Sequence, residues 1–448
     1  MKRKIFLITI LTLSMASYAQ AELLVQPRAG GPIPGLTANE LAYFNAGQEV
    51  FLEEDSVSGT EPGAEGVGLG PRFNMTSCGG CHAQPATGGS SPVINPQIAA
   101  AIRFGARNII PPFIRINGPV REARFINVLG ARPPKPDGGV HNLFVITGRA
   151  DAGTCNITQP DFNSALQQNN VIFRIPTPIF GDGLIEAIPD ATIIANMNAN
   201  IPTKRALGII GRLNRRSIDK ANGEVENRSG NDGTITRFGW KAQNKSLLLF
   251  AGEAYNVEQG VTNEMFQNKR DETPGCVFNG IPEDHTIFNA TEPIAAMSDL
   301  VLFTQFMRFL APPTPLPLTP AAQQGQNLFN SIGCGLCHTP AMVTALSSTS
   351  ALSNQIVNLY SDLLLHDMGK NLADGIRQGL AGPQDFRTAP LWGVGQRLFF
   401  MHDGRTNTLA AAINAHDGPG SEASKVIKAF NRLTPNDQGN VIAFLQSL

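Results

Sequence analysis

The clearest pattern of apolar and polar positions in the chain is that of three helices that begin in the same way. Each starts at a threonine, followed either by a glutamate three residues later or by a proline directly, and both are signals for a helix N-terminus. The last of the three carries Val441, Phe444 and Leu445 at the i, i+3, i+4 spacing of one helix face. The predicted helices are "LTANELAYFNAGQEVF" (36–51), with Thr37 and Glu40 as a capping box, "LTPAAQQGQNLF" (318–329), starting at Thr319 and Pro320, and "LTPNDQGNVIAFLQSL" (433–448), starting at Thr434 and Pro435.

The first two of these helices share a glycine four residues before a phenylalanine. Gly47 precedes Phe51, and Gly325 precedes Phe329. This spacing places bare backbone and an aromatic ring on the same helix face, which suits a close crossing by another helix. We expect the C-terminal helix to be the partner of the second.

Between these helices the pattern is mixed and is interrupted by glycine and proline. The runs "NLFVITG" (142–148) and "NVIFRI" (170–175) predict short strands, and "DATIIANMNANI" (190–201) predicts a helix. The stretch between the first two helices, residues 52–317, must fold onto the helical units or form a domain, because ordinary connections are much shorter. The proline-rich "APPTPLPLTP" (311–320) marks a boundary.

The bulk properties fit a folded chain of more than one domain. Its 448 residues exceed the size at which one hydrophobic core usually stops growing. A net charge of −1 gives no reason to expect nucleic-acid binding. The exception is 202–245, with ten Lys or Arg against four acidic residues, which is either an ordinary solvated face or a patch for an anionic partner or for buried carboxylates.

The N-terminus has the pattern of a secretory signal peptide. Three basic residues precede the apolar run "IFLITILTLSMA", and "AQA" at 19–21 resembles a cleavage site. That run is too short to span a bilayer, and no later window is long and apolar enough to do so. We therefore expect residues 1–21 to be removed, the mature chain to start at Glu22, and the protein to reach the oxidising periplasm.

Four of the six cysteines lie in two copies of the motif C-x-x-C-H. Three interpretations are open: a zinc site, a redox dithiol and a covalent c-type haem. Zinc needs four ligands and leaves the trailing histidines unexplained, and a thioredoxin-like dithiol follows a strand that the flanks do not predict. Export, the second copy and the helices before each motif favour haem, with both thiols bonded to vinyl groups and the histidine on the iron. The residues are Cys78, Cys81 and His82 in "TSCGGCHAQ", and Cys334, Cys337 and His338 in "GCGLCHTPA".

The other two cysteines, Cys155 and Cys276, lie in loop-like surroundings far apart in the chain. In an oxidising compartment two such thiols most simply form one structural disulfide. The sequence alone does not show that the two residues are close enough to be bonded.

Further motifs resemble those of a known family. Together with both C-x-x-C-H motifs, the chain resembles the di-haem oxidoreductase family, whose relatives include bacterial di-haem cytochrome c peroxidases and MauG. The helices and this resemblance together predict a mainly α fold with two cytochrome c-like haem domains, at 22–310 and 321–448, a linker at 311–320, and a long, mixed, loop-rich elaboration between the haem motifs. The motifs that carry the resemblance are "YSDLLLHDMG" (360–369), "FRTAPLWGVG" (386–395), "FMHDGRTNTLAAAINAH" (400–416), "PTPIFGDGLIEAIPD" and "TRFGWKAQ".

The resemblance implies haem ligands residue by residue. His82 and His338 become the proximal iron ligands, and the four motif cysteines become the thioether attachments. In the related peroxidases the second ligand of the C-terminal haem, usually methionine, lies fourteen residues after the histidine of "HDG". That histidine is His402 here, and the residue fourteen positions later is His416. A histidine in place of methionine predicts a lower haem potential.

The sequence assigns no second ligand to the N-terminal haem. The remaining candidates are His141, His285, Met265 and Met297, residue types that are more often surface or packing residues than ligands. An iron without a second protein ligand would leave a position open for peroxide.

The resemblance also implies residues that act around the haems. The relatives use a glutamate over the peroxidatic haem, for which Glu186 is our candidate and Asp182 the second; a helix-start carboxylate explains Glu186 equally well. A tryptophan between the haems serves as relay in the relatives, and Trp240 is a better candidate than Trp392. Each of these two rings also suits a core position.

Two further histidines have competing interpretations. His402, with Arg405 nearby, lies either beside a haem edge or its propionates, or in the turn around "HDG". His366 follows an apolar run and is expected to be a core histidine whose nitrogens are satisfied by neighbours.

These observations predict a periplasmic di-haem c-type cytochrome oxidoreductase. It would reduce hydrogen peroxide, or use it as an oxidant, at the N-terminal haem with electrons relayed through the C-terminal haem from a small redox protein, a cytochrome c or a cupredoxin. The expected cofactors are two covalently bound haem c groups, with calcium as a further candidate, and neither nucleic acid nor a membrane span is expected. Two alternatives stay open: an electron-transfer cytochrome without an open iron, and a di-haem oxygenase that acts on an organic substrate.

Overall fold

The structure is a computed structural model that describes residues 29–215, 235–268, 273–276, 278 and 282–448. The predicted signal peptide and part of the basic 202–245 stretch lie outside the described residues. In the described part no helix is long and apolar enough to cross a membrane.

The helices concentrate around the two C-x-x-C-H motifs. A π-helical turn, Tyr255–Gln259, directly follows the helix that ends at Ala254. The α-helices are α1 (Ala38–Leu52), α2 (Cys78–Cys81), α3 (Gln97–Arg103), α4 (Phe162–Gln167), α5 (Asp182–Glu186), α6 (Asp190–Asn198), α7 (Ile201–Leu207), α8 (Leu247–Ala254), α9 (Pro293–Ala296), α10 (Asp299–Phe309), α11 (Pro320–Ser331), α12 (Leu409–Ala415), α13 (Ser424–Phe430) and α14 (Pro435–Ser447).

The strands are short, and most of them pair in twos. One sheet has three antiparallel strands in the order β5–β4–β7, with Ala123 opposite both His141 and Phe173. The strands are β1 (Asp55–Ser56), β2 (Gly66–Val67), β3 (Arg72–Phe73), β4 (Glu122–Phe125), β5 (Val140–His141), β6 (Phe144–Val145), β7 (Val171–Arg174), β8 (Asn214–Arg215), β9 (Ile235–Thr236), β10 (Met342–Val343), β11 (Ile356–Val357), β12 (Leu365–Asp367) and β13 (Asp385–Arg387).

The fold is therefore mixed rather than mainly α. Helices account for 34% and strands for 13%. The prediction of a mainly α fold is not confirmed, whereas the segment between the two C-x-x-C-H motifs is mixed and rich in loops, as predicted. There, frequent glycine and proline end each element early, so short ladders replace longer helices.

The predicted helix starts are confirmed. At α1 the backbone N–H of Thr37 donates to Glu40 Oε2 at 2.7 Å, and the N–H of Glu40 donates to Thr37 Oγ1 at 3.3 Å, which completes the capping box. Thr319 and Thr434 accept from the third residue after them in the same way. The predicted helix at 190–201 is interrupted, because Asn200 adopts a left-handed conformation (φ 55°) between α6 and α7.

Both glycine–phenylalanine pairs mark a helix crossing. Gly325 of α11 lies against the backbone of α14 at Asn440, as predicted. Gly47 of α1 lies against Leu302 and Phe306 of α10. The two crossings hold the N-terminal and the C-terminal C-x-x-C-H motifs in similar helix settings.

Replacing Gly325 with alanine is expected to lower the free energy of unfolding by about 1–3 kcal/mol, because the added Cβ would collide with the backbone carbonyl of Asn440. Thermal and denaturant unfolding measure this change. Gly439→Ala in α14 is the matched control: nothing lies within 4 Å of its added Cβ, so this change should stabilise the helix by roughly 0.5–1 kcal/mol. Equal effects of the two changes would contradict the close crossing.

One hydrophobic core runs across the predicted boundary at 311–320. It joins Phe44 and Phe306 of the N-terminal part to Leu359, Leu364 and other residues of the C-terminal part. The proline-rich segment is extended and is held near both ends, since Ala311 N–H donates to Gly31 O and Leu316 N–H donates to Ser447 O. The division into two domains stays a prediction.

The segment between the motifs has a second core, built on the three-stranded sheet. Cys155 and Cys276 form a disulfide in this core, with their Cα atoms 4.5 Å apart. The predicted pairing of the two leftover cysteines is confirmed.

Candidate functional site

The N-terminal C-x-x-C-H motif lies in the wall of a large cavity. Cys78, Cys81 and His82 line this cavity, which has a volume of about 1270 Å³ including its open mouth. The His82 ring is held by the backbone, with Nδ1 3.0 Å from the oxygen of Gly89 and a further contact to Thr177. Burial lowers the pKa of His82 to about 4, so the ring is a neutral imidazole that is able to bind a metal.

The second motif lines a cavity of similar size. Cys334, Cys337 and His338 line this cavity, which has a volume of about 1340 Å³ including its open mouth. His338 Nδ1 lies 3.0 Å from the backbone oxygen of Tyr360, the same arrangement as at His82. Burial, with the nearby His416 ring as the next cause, lowers the pKa of His338 to about 4.

His416 faces the same C-terminal cavity as His338. It caps the C-terminal end of α12, and its Nδ1 lies 2.7 Å from the backbone oxygen of Ala412. Burial lowers its pKa as well. Two neutral imidazoles, each held through Nδ1 by a backbone oxygen, therefore border one cavity, as a haem with two histidine ligands requires.

An unpaired guanidinium shows that the C-terminal cavity fits an anionic cofactor. Arg397 is half-buried in the cavity wall, and its buried Nε and Nη2 atoms have no hydrogen-bond partner among the described residues. Burial lowers its pKa to about 10. A buried charge normally has a partner, and a haem propionate entering this cavity would be one. The residues present thus fit haem.

Replacing Arg397 with methionine is expected to lower the midpoint potential of the C-terminal haem by on the order of 50 mV, because a nearby cation stabilises the reduced, less positive haem. A spectroelectrochemical titration of the haem-loaded protein measures the shift. Arg405→Met is the control, since Arg405 is exposed and pairs with Asp403. Equal potentials for Arg397→Met and the parent would show that Arg397 does not face a haem propionate.

Glu186 does not lie in either cavity wall, among the described residues. Its Oε2 accepts from Arg308 Nε at 3.0 Å, and its Oε1 accepts from the backbone N–H of Leu247 at 2.9 Å, at the start of α8. Asp182 is buried outside both walls too, and burial raises its pKa to about 7. Glu186 is the last residue of α5 rather than a helix-start residue, and its carboxylate accepts at the start of α8 instead.

A pair of carboxyl groups in the N-terminal cavity was missed by the sequence analysis. Glu122 on β4 and Glu258 in the π turn both line this cavity, and their carboxyl groups interact. Burial alone would raise the pKa of Glu122, but the guanidinium groups of Arg124 and Arg174 outweigh it and lower this pKa. Arg124 Nε donates to Glu122 Oε1 at 2.7 Å.

Trp240 lies in the wall between the two cavities and lines both of them. Its Nε1–H donates to the backbone oxygen of Ile175 at 3.0 Å. Trp392 belongs to the large core and lies against Gly181 instead. The structure thus places Trp240, the preferred candidate, where a relay would have to lie.

His402 is buried in the wall of the C-terminal cavity. Its ring stacks on Phe386 with centroids 4.3 Å apart, and burial lowers its pKa to about 4. Arg405 lies outside the wall and donates to Asp403 and to the backbone oxygen of Asn371. Of these two candidates the structure brings only His402 to the cavity.

The candidate second ligands of the N-terminal haem lie elsewhere. His141 pairs with Asp137, and His285 contacts the backbone oxygen of Pro282. The methionines in the N-terminal cavity wall are different ones from those considered in the sequence analysis: they are Met75 and Met307, rather than Met265 and Met297.

His366 is satisfied by two carboxylates, as predicted for a core histidine. Its Nε2 lies 2.9 Å from Asp362 Oδ2, and its Nδ1 lies 2.8 Å from Glu422 Oε2. Among the described residues, Cys337, Asp362 and His366 have ligand atoms close enough together to hold one metal ion. Calcium prefers oxygen ligands, and this group offers a sulfur and a nitrogen besides one carboxylate. Bound calcium therefore stays a prediction.

Three cations of the basic 202–245 stretch pair with carboxylates. Lys241 is fully buried, with its Nζ 3.0 Å from Asp374 Oδ1. Arg212 pairs with Asp385, and Arg237 pairs with Asp190. These three residues agree with the interpretation that the basic stretch provides cations that pair with carboxylates.

Residues 131–448 match the family described as "Di-haem oxidoreductase, putative peroxidase", which covers well over half of the chain. No curated protein matches the sequence.

Three solved structures show partial likeness. A MauG-like protein associated with microbial copper homeostasis is similar over 36% of this chain and 55% of its own, at 21% identity and a TM-score of 0.25. The diheme peroxidase BthA from Burkholderia thailandensis is similar over 47% and 65%, at 18% identity and a TM-score of 0.30. Hydrazine synthase from Kuenenia stuttgartiensis is similar over 100% of both chains, at 14% identity and a TM-score of 0.36. The chain thus spans little more than half of the MauG-like protein, and at these TM-scores none of the three likenesses supports a function.

Proposed function

Because the chain belongs to the di-haem oxidoreductase family, we propose that it is a periplasmic di-haem c-type cytochrome peroxidase. It reduces hydrogen peroxide in the N-terminal cavity with electrons that enter at the C-terminal cavity. The electron donor is a small redox protein, a cytochrome c or a cupredoxin. Export rests on the predicted signal peptide.

The difference between the two cavities carries this proposal. The C-terminal cavity has two facing imidazoles, His338 and His416. Among the described residues, the N-terminal cavity has one imidazole, His82, and two carboxyl groups, Glu122 and Glu258, in its wall. A site with two strong ligands suits electron transfer, and a site with one ligand and a proton-transfer group suits chemistry on peroxide.

Cys78, Cys81 and His82 would hold the N-terminal haem, which supplies an iron with an open position and one-electron redox chemistry. Reducing hydrogen peroxide to two waters consumes two electrons and two protons. The ionised carboxylate of Glu122 accepts the proton of the attacking peroxide oxygen. A proton on Glu258 is then available for the departing oxygen, which leaves as water.

Three neighbouring side chains support these steps. Arg124 and Arg174 hold Glu122 in its ionised form. Arg174 is itself fixed, because its Nη2 donates to Asp374 Oδ2 at 2.7 Å. Trp240, in the wall shared by both cavities, gives electrons a short packed path from one to the other.

Spectroscopy of the protein made in a host that attaches c-type haems tests the proposal. Mass spectrometry should show two covalent haems, and electron paramagnetic resonance should show one low-spin and one high-spin centre. Cyanide should perturb the high-spin centre, and peroxide should be consumed when a reduced cytochrome c or cupredoxin is supplied.

The two alternatives give different results in the same experiment. If both irons stay low-spin in every redox state and neither responds to cyanide or peroxide, the protein is an electron carrier. If an organic substrate is oxidised with oxygen and without peroxide, it is an oxygenase.

A further inference from the structure

Tyr255 is a buried phenol in the wall of the N-terminal cavity that the proposed mechanism does not use. It opens the π turn that also carries Glu258, and such turns often occur at functional sites. Its hydroxyl lies 3.4 Å from Asp299 Oδ2 and is within hydrogen-bonding reach of the Asp55 carboxyl group. A phenol between two carboxyl groups has a proton acceptor in place.

The carboxyl groups around Tyr255 are held by further hydrogen bonds. Gln259 Nε2 donates to Asp55 Oδ2 at 2.9 Å. Asp284 accepts from the backbone N–H groups of Asp299 and Leu300 at 2.7 and 2.9 Å. Burial raises the pKa of Asp55 well above its usual range, raises that of Asp299, and raises that of Asp284 to about 7. Carboxylates with raised pKa values are stronger bases than exposed ones.

Aromatic contacts connect Tyr255 to His82. The Tyr255 ring meets Phe303 edge-on with centroids 5.0 Å apart, and Phe303 meets Phe51 at 6.3 Å. Phe51 in turn meets the His82 ring at 6.0 Å. Two packed rings, Phe303 and Phe51, thus connect the phenol to the histidine that would bind the N-terminal iron.

We propose that Tyr255 is a redox-active residue that donates one electron to the N-terminal haem and its phenolic proton to Asp299. This inference rests on the proposed function, since hydrogen peroxide is the oxidant that withdraws the electron from that haem. The phenolic O–H bond breaks, an O–H bond forms on the Asp299 carboxylate, and a neutral tyrosyl radical stays on the ring. An electron from the C-terminal cavity and the returning proton restore the phenol.

Tyr255 thereby holds an oxidising equivalent when peroxide arrives before the donor does. Because Asp299 is only half-buried and Asp55 is fully buried, Asp299 is the group through which the proton reaches solvent. Loss of either the phenol or the Asp299 carboxylate is expected to diminish the radical without removing the haem.

The test is freeze-quench electron paramagnetic resonance of the haem-loaded protein mixed with peroxide in the absence of donor. We expect a narrow organic radical whose splitting collapses when the protein carries ring-deuterated tyrosine. The radical should be lost in Tyr255→Phe and reduced in Asp299→Asn. Tyr43→Phe is the matched control, because Tyr43 packs against the same core from α1 but does not line the cavity.

A second arm oxidises the same proteins with a flash-generated ruthenium(III) complex and needs no peroxide. A Tyr255-dependent radical in this arm, in a protein that does not consume peroxide, supports the redox role of Tyr255 while the peroxidase proposal fails. Normal peroxide consumption with no tyrosyl radical in either arm, or with a radical that persists in Tyr255→Phe, overturns the inference and leaves the peroxidase proposal intact.

Discussion

Replacing Glu122 with glutamine is expected to lower kcat/KM for hydrogen peroxide by roughly 10²–10⁴-fold, the usual contribution of a positioned acid–base group. Glutamine keeps the size of the side chain and its place beside Arg124, but it cannot accept a proton. The haem spectra and the haem content should not change. Stopped-flow measurement of peroxide consumption with excess reduced donor gives the rate.

Two further variants make this result specific. Glu186→Gln tests the assignment made from sequence: the structure predicts no loss, because Glu186 pairs with Arg308 outside both cavities. Glu49→Gln, on the exposed face of α1, is the control for a change of charge alone. A Glu122→Gln rate close to that of the parent, or a large loss in Glu186→Gln, would move the acid–base role away from Glu122.

Replacing His416 with alanine is expected to convert the C-terminal haem from low-spin to high-spin. His416 and His338 line this cavity and are each held through Nδ1 by a backbone oxygen, so removing His416 should open a coordination position. Optical and electron paramagnetic resonance spectra show the change directly. Electron delivery to the N-terminal cavity should slow at the same time.

His416→Met gives the complementary result. A thioether ligand should restore the low-spin spectrum and raise the potential by a sizeable share of the roughly 0.8 V range over which axial ligands act. His402→Ala is the control, because His402 lines the same cavity but stacks on Phe386. An unchanged spectrum in His416→Ala would reject the ligand assignment, and a high-spin spectrum in His402→Ala would transfer it to His402.

Local features of the sequence predicted the parts of the fold that depend on neighbours in the chain. The capping box of Thr37 and Glu40 lies within one helical turn, so its hydrogen bonds follow from the residues alone. Gly325 signalled a close crossing because a missing side chain has few other uses in a helix. The π turn at Tyr255 has no comparable local signal, because it depends on packing rather than on neighbours in the chain.

Some features of the candidate site likewise follow from the sequence, and others depend on the fold. Each C-x-x-C-H motif carries all its reactive atoms within five residues, so its chemistry follows from the residues of the motif alone. Glu122 and Glu258 lie on different elements, and only folding brings their carboxyl groups together. Glu186 looked suitable by its motif, but its carboxylate is held by Arg308, a contact that spans 122 positions.

The sequence by itself determined the two C-x-x-C-H motifs, the helix starts, the helix crossing at Gly325 and the pair of cysteines left for a disulfide, because these depend on short-range spacing or on simple counting. Only the tertiary structure decided which carboxyl groups meet in the N-terminal cavity, that Nε and Nη2 of Arg397 are buried without a hydrogen-bond partner among the described residues, that Trp240 borders both cavities and that Tyr255 lies close to Asp55 and Asp299. The physical reason is that proton transfer, charge burial and electron transfer depend on distances of a few ångströms between groups that the chain separates by tens to hundreds of residues.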